Sequence, residues 1–503
     1  MGQESDTEHL DRQAGRGMRL LLSRQVLTQA LGLAGGVLMA RLLGPAEFGL
    51  YAIITVVVSV FSLFGDLGLT ALFIQRKETF TEEDLQRSFT AQVGFATLMV
   101  AGVWVAAPWV LGFYAEVPAQ AVWWVRVFAL SLYLNAFRAV TSVQLERRLE
   151  YGPVVRTEVA ENGVYHLTTV LLAWSGAGVW SFVLGALARA AVGAVGLYRA
   201  APWPVRLRGR VGELKALLRG SFRFQVYGPL NAIANWVIPT AVGVLVGPAG
   251  VGYLGLATAN AKRPLLVVEA VMRVTLPHFA RLQASPEALR ERILAYLCGL
   301  GWLCALWAVM MGAVGPDFIE LLYSARWLPA VPVLLLVSVA LPLDVVSWTM
   351  GQAFTAAGRP WVPVRVVTVR SLLTVGLAVV LVPWLGLLGA PLAYVLADLV
   401  AALLQLTSFQ RGFFRASLRA TLWMVPCAVL AAAAGRGLVV LVQSVGPVPA
   451  VVRLAAGGVV AGVLYLASSA LLAPSGYRAW ALARLRPFLL AALRRTPVAS
   501  PPP

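Results

Sequence analysis

The chain has 503 residues, of which 59% are hydrophobic and only 13% are charged, and its mean hydropathy is +0.77. Soluble globular proteins contain roughly 45–50% apolar and about 25% charged residues, so the composition excludes that class and predicts a polytopic membrane protein. The net charge of +18 does not indicate nucleic-acid binding, because no basic face or recognised nucleic-acid motif accompanies it.

Motifs for catalysis, metal binding and cofactor binding are absent from the sequence. It contains no GxxxxGK[ST] loop, no GxSxG, no HExxH and no paired-cysteine spacing. Cys298, Cys304 and Cys427 all stand inside apolar runs, where they are expected to be small core residues. We therefore predict no catalytic residue, no metal ligand and no cofactor, and we do not expect an enzyme.

Apolar segments of about 20 residues follow one another along the chain, separated by short polar or basic segments. A helix of that length crosses a hydrocarbon core about 30 Å thick, so each segment predicts one transmembrane helix. The result is an all-α integral membrane protein with an even number of spans. The fourteen predicted spans lie near residues 19–41, 50–74, 90–113, 120–140, 154–174, 178–198, 222–246, 250–274, 293–314, 328–356, 361–383, 387–409, 418–435 and 450–472.

The basic residues predict which side of the membrane each connecting segment faces. Most of the 41 Lys and Arg residues fall in the N-terminal region, in the C-terminal tail and in segments that emerge on the same side. An excess of basic residues marks cytoplasmic loops, so we expect a multi-pass protein of the cytoplasmic (inner) membrane with both termini in the cytoplasm. The same charge attracts anionic membrane lipids. The opposite side receives Arg41, Arg326, Arg436 and Arg453.

A short motif occurs twice and indicates two related halves. Residues 44–51 read GPAEFGLY, and residues 247–253 read GPAGVGY. Residues 174–178, WSGAG, and 384–389, WLGLLG, form a second pair at a similar offset. Six predicted spans separate the members of each pair, so the two halves would cross the membrane in the same direction. Transporters commonly bind substrate at such a repeat interface, although loop chemistry alone also favours Gly and Pro.

The repeat predicts two six-helix bundles related by a pseudo-twofold axis along the membrane normal, followed by two C-terminal helices. In chain order we expect a cytoplasmic tail, a first bundle, a basic cytoplasmic connector, a second bundle, two extra transmembrane helices and an amphipathic basic tail. Their predicted bounds are residues 1–18, 19–198, 199–221, 222–409, 410–472 and 473–503.

Several cations stand within the predicted spans or at their ends. A charge in the hydrocarbon core is costly, so such residues usually line a water-filled cavity or pair with one another. Arg offers phosphate a planar fork and Lys a point charge, and both therefore suit an anionic headgroup. The alternative is snorkelling to the interface, which is favoured for Arg24 and Arg126, whereas the cavity is favoured for Arg189, Lys262 and Arg263. The candidate substrate-binding cations are Arg24, Arg189, Lys262 and Arg263.

Acidic residues within the spans are candidates for coupling to an ion. Glu158, Asn162 and His166 follow one another at intervals of four residues on the fifth span, with Glu161 beside them, so they share one helical face. This stripe could bind a coupling H⁺ or Na⁺ or contact sugar hydroxyls; interhelical hydrogen bonding is the favoured alternative. The full set of possible coupling residues is Asp66, Glu158, Glu161, His166, Asp344 and Asp398.

Asparagine side chains are the candidates for sugar recognition, because each amide offers two donors and one acceptor. Interhelical hydrogen bonding would use the same groups, and the sequence does not separate these two roles. The candidates are Asn162, Asn231, Asn235 and Asn260.

Several longer segments resemble one family of membrane transporters. They are ARLLGPAEFGLYAII (residues 40–54), FGDLGLTALFIQRKETFTEEDL (64–85), QLERRLEYGPVVRTEVAENG (144–163), the segment 247–282 and GQAFTAAGRP (351–360). On these residues the chain resembles the Wzx-like polysaccharide and O-antigen repeat-unit flippases of the multidrug/oligosaccharidyl-lipid/polysaccharide (MOP) exporter superfamily.

The resemblance implies a MATE-like fold that works by alternating access. It implies translocation of polyprenyl-diphosphate-linked oligosaccharides to the outer leaflet, coupled to a gradient of H⁺ or Na⁺, beside the polysaccharide polymerase machinery. A lipid II flippase or a drug/cation antiporter of the same superfamily is the alternative; the latter would favour acids over basic residues in its cavity. An integral-membrane glycosyltransferase or polymerase is a distant alternative, because it should carry a large outer loop.

Overall fold

A computed structural model describes residues 24–25, 27–62, 81–114, 116–148, 150–209, 228–409, 412–446 and 448–473. Within these residues the chain is almost entirely helical, and they contain no strand. The longer helices are α1 (Leu27–Leu42), α2 (Pro45–Ser62), α3 (Glu82–Leu111), α4 (Ala121–Ala129), α5 (Ser131–Arg147), α6 (Tyr151–Trp174), α7 (Trp180–Ala200), α8 (Gly228–Leu245), α9 (Pro248–Ala261), α10 (Leu265–Arg281), α11 (Pro286–Tyr323), α12 (Val331–Ala356), α13 (Trp361–Leu385), α14 (Gly389–Phe409), α15 (Phe413–Thr421), α16 (Met424–Val445) and α17 (Ala450–Leu472).

Each predicted span overlaps at least one of these helices, and three spans are broken. The span near 418–435 divides into α15 and α16 at Leu422 and Trp423. The span near 120–140 divides into α4 and α5 at Leu130, and the span near 250–274 divides into α9 and α10 at Lys262, Arg263 and Pro264. Proline has no N–H and disfavours a helical conformation at the residue before it, so Pro264 ends one helix and starts the next. Seven helical segments of the described residues are long and apolar enough to cross a membrane.

Contacts within the chain define two compact units. The first contains residues Met1–Leu256, Leu322–Trp327 and Val375–Ala390, and the second contains Ala257–Leu321, Leu328–Thr374 and Pro391–Pro503. The bundle bounds expected from the sequence stay a prediction, and the predicted tails lie outside the described residues.

The repeated motif forms a reciprocal contact in the first unit. Pro45 and Pro248 stand at the first positions of α2 and α9, where the missing N–H of proline is not needed. A Cβ atom on Gly49 would overlap the carbonyl oxygen of Pro248, and a Cβ atom on Gly252 would overlap the carbonyl oxygen of Pro45. The two copies of the motif therefore pack on each other with approximate twofold symmetry, and the two glycines permit the close approach.

Aromatic side chains pack around α2 in the same unit. Phe48 meets the rings of Phe182 and Trp327 edge-on, at centroid distances of 4.9 and 5.1 Å. Trp327, in a short 3₁₀ segment before α12, is fully buried, and its Nε1–H donates to the carbonyl oxygen of Ala40 at 2.9 Å. A buried indole N–H needs such an acceptor, so this tryptophan fixes the end of α1.

The second unit contains the two C-terminal helices, which pack on α11. Gly435 of α16 and Gly457 of α17 stand opposite each other, so the helix backbones approach closely. Asp317 of α11, which is 2% exposed, accepts a hydrogen bond from Arg453 of α17 at 2.6 Å and pairs with Arg436 of α16 at 3.5 Å. This buried carboxylate connects all three helices.

Candidate functional site

A polar pocket of about 420 Å³ lies in the first unit. Three arginines line it, each from a different segment: Arg24 just before α1, Arg138 of α5 and Arg189 of α7. The remaining lining residues are polar or acidic. They lie just before or in the first turn of α1 and on α6: Gln25, Thr28, Gln29, Glu158, Glu161 and Asn162.

Helical periodicity explains why these polar side chains all point into the same pocket. Gln25, Thr28 and Gln29 recur at intervals of three and four residues, as do Glu158, Glu161 and Asn162 on α6, so each set shares one face. The Thr28 hydroxyl donates to the carbonyl oxygen of Arg24 at 2.9 Å, and the Asn162 amide donates to that of Glu158 at 2.7 Å. Both bonds hold polar side chains against their own helix.

Ion pairs connect the arginines through the two carboxylates. Glu158 accepts a hydrogen bond from Arg24, and its other oxygen lies 3.7 Å from Arg138. Glu161, whose side chain is 3% exposed, lies 3.0 Å from Arg138 Nε and 3.8 Å from Arg189 Nε. The pocket therefore joins three guanidinium groups with two carboxylates and carries a net positive charge. Anions are the ligands that such a pocket favours.

The structure brings five of the predicted site residues into this pocket: Arg24, Arg189, Glu158, Glu161 and Asn162. His166 lies two turns further along α6; it is not among the lining residues, and it packs against Gly35 of α1. Its Nδ1 is buried and has no hydrogen-bond partner within the described residues. Asp66 lies outside the described residues. Asn231 and Asn235 lie in α8, in a stretch whose side chains are outside the described part of the chain.

The remaining predicted residues form a second polar network, in the second unit. Lys262, at the α9–α10 break, donates from Nζ to the hydroxyl of Tyr394 at 2.7 Å. The Tyr394 hydroxyl in turn donates to Asp344 Oδ1 of α12 at 2.9 Å. Arg370 of α13 donates to Asp398 Oδ1 of α14 at 2.9 Å. Four helical segments thus contribute to one network with two cations and two carboxylates.

Each carboxylate of this network keeps one oxygen without a donor. Asp344 is 3% exposed and Asp398 is fully buried, and the Oδ2 atoms of both accept no hydrogen bond from the residues that the structure describes. A buried carboxylate oxygen without a donor is a favourable place for a proton or a small cation.

Arg263 and Asn260 interact with each other beside that network. The Arg263 Nε–H donates to Asn260 Oδ1 at 3.0 Å, and Asn260 is 2% exposed. Neither residue, nor Lys262, lines the arginine pocket. Their expected roles in substrate binding stay predictions.

The sequence analysis missed Arg138, Arg370 and Tyr394. It counted both arginines with the cytoplasmic connecting segments, whereas they lie within α5 and α13 and pair with buried carboxylates. Arg138 and Arg370 lie inside the predicted spans 120–140 and 361–383, and those positions were a usable signal. Tyr394 carries no sequence signal, because only the neighbouring helices show that its hydroxyl connects Lys262 with Asp344.

Comparisons with known proteins agree with the fold and with the resemblance. The chain is 27% identical over 307 residues to the succinoglycan biosynthesis transport protein ExoT of Rhizobium meliloti (strain 1021); the match covers 59% of this chain and spans only 60% of the relative's length. It is 22% identical over 388 residues to the lipopolysaccharide biosynthesis protein WzxC of Escherichia coli (strain K12), covering 75% and 77% of the two chains.

Among solved structures, the lipid II flippase MurJ in an inward closed conformation is similar with a TM-score of 0.72. The similarity covers 90% of this chain and 98% of MurJ at 15% identity, and it therefore concerns the fold. The prediction of an all-α membrane protein with a MATE-like fold is confirmed, as is the resemblance to polysaccharide transport proteins.

The profile of one family, described as polysaccharide biosynthesis protein, matches residues 38–332. This segment is more than half of the chain and includes both copies of the repeated motif, α6 with its two glutamates, and Arg189. The protein therefore belongs to the polysaccharide biosynthesis protein family.

Proposed function

We propose that this protein is a flippase that moves polyprenyl-diphosphate-linked oligosaccharide repeat units from the cytoplasmic to the outer leaflet, for surface polysaccharide synthesis. The observation that carries the proposal is the convergence of Arg24, Arg138 and Arg189 on one pocket of about 420 Å³. The diphosphate would bind to the guanidinium groups, whose planar forks match phosphate oxygens. The role is transport by alternating access, and no bond of the substrate is broken.

The charge of the pocket argues against a drug or cation exporter. Three guanidinium groups outnumber the two carboxylates of the pocket, so a cationic drug would meet a net positive charge. An anionic headgroup gains from the same charges, most of all in a site with little water, where electrostatic attraction is less screened. Asn162, Gln25 and Gln29 supply amide groups for the first sugars.

The network around Tyr394 is our candidate for coupling to a gradient of H⁺ or Na⁺. Asp344 and Asp398 come from neighbouring helices, are buried, and each offer one carboxylate oxygen without a donor. Binding of one cation there would disturb the pair of Arg370 with Asp398 and the hydrogen bonds that connect Lys262 through Tyr394 to Asp344. By changing those interactions, the bound ion would favour one arrangement of α12, α13 and α14 over another.

The proposal places the protein in the cytoplasmic membrane with both termini in the cytoplasm, beside the polymerase that consumes its product. The support for this orientation is the distribution of Lys and Arg between the predicted spans.

A flipping assay in proteoliposomes tests the proposal. The purified protein is reconstituted with a fluorescent polyprenyl-diphospho-oligosaccharide, and an impermeant quencher reports the fraction of label on the outside. We expect protein-dependent translocation that Arg189→Ala lowers at least tenfold. Arg273→Ala is the matched control, since Arg273 is half exposed and, in the described part of the chain, pairs with Glu269 one turn earlier on the same helix. No movement of the labelled lipid by the wild-type protein, with efflux of organic cations instead, would contradict the proposal.

A further inference from the structure

Two glutamate side chains are already paired with the arginines that an anionic headgroup would bind. Glu158 forms ion pairs with Arg24 and Arg138, and Glu161 forms ion pairs with Arg138 and Arg189. A diphosphate diester carries a negative charge on each phosphate. With both carboxylates in place, three guanidinium groups and two carboxylates leave the pocket a net charge of +1 against the two negative charges of the diphosphate. A bound headgroup is therefore better balanced when it replaces one carboxylate on the arginines.

The surroundings of Glu161 make it the fixed partner. Its side chain is 3% exposed and lies between Arg138 and Arg189. A Cβ atom on Gly193 of α7 would overlap the Glu161 carboxylate, so that carboxylate is packed directly on the backbone of the next helix. Moving it would leave a buried charge without its partners, which is strongly unfavourable.

The surroundings of Glu158 are different. Its side chain is 24% exposed within the pocket, and its partner Arg24 is 26% exposed. Its second cation, Arg138, lies 3.7 Å away and keeps Glu161 as a closer partner. Glu158 can therefore leave the arginines towards the open side of the pocket, and no deeply buried charge remains behind.

We propose that Glu158 is an exchangeable counter-ion of the substrate site. The anionic headgroup replaces its carboxylate on Arg24 and Arg138, while Glu161 continues to hold Arg138 and Arg189 in position. The inference rests on the proposed function and adds to it a residue that sets affinity without contacting the bound headgroup.

The exchange also has a structural consequence. The pair of Arg24 with Glu158 joins the segment just before α1 to α6, two segments far apart in the sequence. A headgroup that takes Arg24 away from Glu158 breaks this connection when it binds. Arrival of the substrate is thereby linked to the freedom of α1 relative to α6.

Binding measurements on the full-length protein in nanodiscs test the inference. The two probes are inorganic pyrophosphate and a polyprenyl diphosphate in the same nanodisc, which separate a free anion from a lipid headgroup. We expect Glu158→Gln to bind both probes roughly tenfold more tightly than the wild type, because the competing charge is gone. Arg24→Ala should bind both more weakly.

Glu269→Gln is the matched control. It changes the net charge of the chain by the same amount, but Glu269 is half exposed on α10 and pairs with Arg273. We expect its affinity to stay within twofold of the wild type. Glu158→Asp keeps the charge with a shorter side chain and is expected between the wild type and Glu158→Gln, which tests the idea even if the Gln variant is poorly folded.

The outcomes separate this inference from the proposed function. Suppose that the wild type binds the probes in a way that depends on Arg24, but that Glu158→Gln binds them no more tightly than Glu269→Gln. That result overturns the exchange and leaves the flippase proposal standing. Tighter binding of free pyrophosphate alone overturns the exchange for a lipid headgroup. If the wild type binds neither probe, or if Arg24→Ala leaves the binding unchanged, the anion site itself is wrong, and the proposed function falls with it.

Discussion

The reciprocal glycine contact between α2 and α9 leads to a sharp prediction about stability. Replacement of Gly252 by Ala places a methyl group against the carbonyl oxygen of Pro45, and replacement of Gly49 does the same at Pro248. The obstacle in each case is backbone at the start of a helix, which does not rotate away as a flexible side chain would. The two helices must therefore separate to accept either methyl group.

Two opposing effects set the magnitude. Glycine to alanine within a helix stabilises it by roughly 0.8–1 kcal/mol, because glycine loses more backbone freedom on folding. Overpacking of a close contact costs about 1–3 kcal/mol, and more where the neighbour is rigid. At Gly49 and Gly252 the steric cost is larger, so we expect each variant to lose about 1–2 kcal/mol of unfolding free energy.

Gly255→Ala is the control within the same helix. Gly255 is exposed, and a Cβ atom there would meet no other atom within 4 Å, so only the gain in helix propensity remains. Equilibrium unfolding in mixed micelles compares five proteins: the wild type, the two single contact variants, their double variant and the control. The double variant should cost less than the two single variants together, because one separation of the helices accommodates both methyl groups. Equal stability of Gly252→Ala and Gly255→Ala would refute the reasoning.

Three further predictions concern buried polar contacts. Asp317→Asn should destabilise the protein by about 3 kcal/mol and expose α16 and α17 to protease, since Arg436 and Arg453 lose the buried carboxylate that they share and Arg453 keeps the half-exposed Glu320. Unchanged digestion would contradict this. Arg370→Met should reduce folded yield, and adding Asp398→Asn should restore much of it; a double variant no better than the single one would show that the pair is independent. Trp327→Phe should cost about 1–3 kcal/mol in unfolding free energy, because a buried carbonyl oxygen loses its donor; a smaller loss than in an exposed Trp348→Phe control would argue against this contact.

Hydropathy and short motifs determined much of the fold. The length and composition of the apolar segments predicted an all-α membrane protein, and each predicted span overlaps a helix of the structure. These predictions worked because hydropathy is a local property that a membrane enforces strongly. The GPAxxG repeat predicted related halves, which stays a prediction; the structure shows that the two copies of the motif are in contact.

The membership of the candidate site depended on tertiary structure. The spacing of Glu158, Glu161 and Asn162 showed that they share a face of α6, and the face that meets them comes from α5, α7 and the start of the chain. The sequence therefore indicated Arg24 and Arg189 as cations within the membrane and did not indicate Arg138. It also grouped Lys262 with Arg189, whereas Lys262 bonds to Tyr394 and does not line the arginine pocket.

Helical periodicity determines which residues of one helix share a face, because it depends only on neighbours three and four positions away. Which helix packs against that face depends on contacts between residues far apart in the sequence, such as Arg24 with Glu158 or Arg370 with Asp398. The sequence by itself thus determined the spans, the repeat and most of the charged residues within the membrane. Only the tertiary structure decided which charges pair, because an ion pair is stable only where packing brings both groups together out of water.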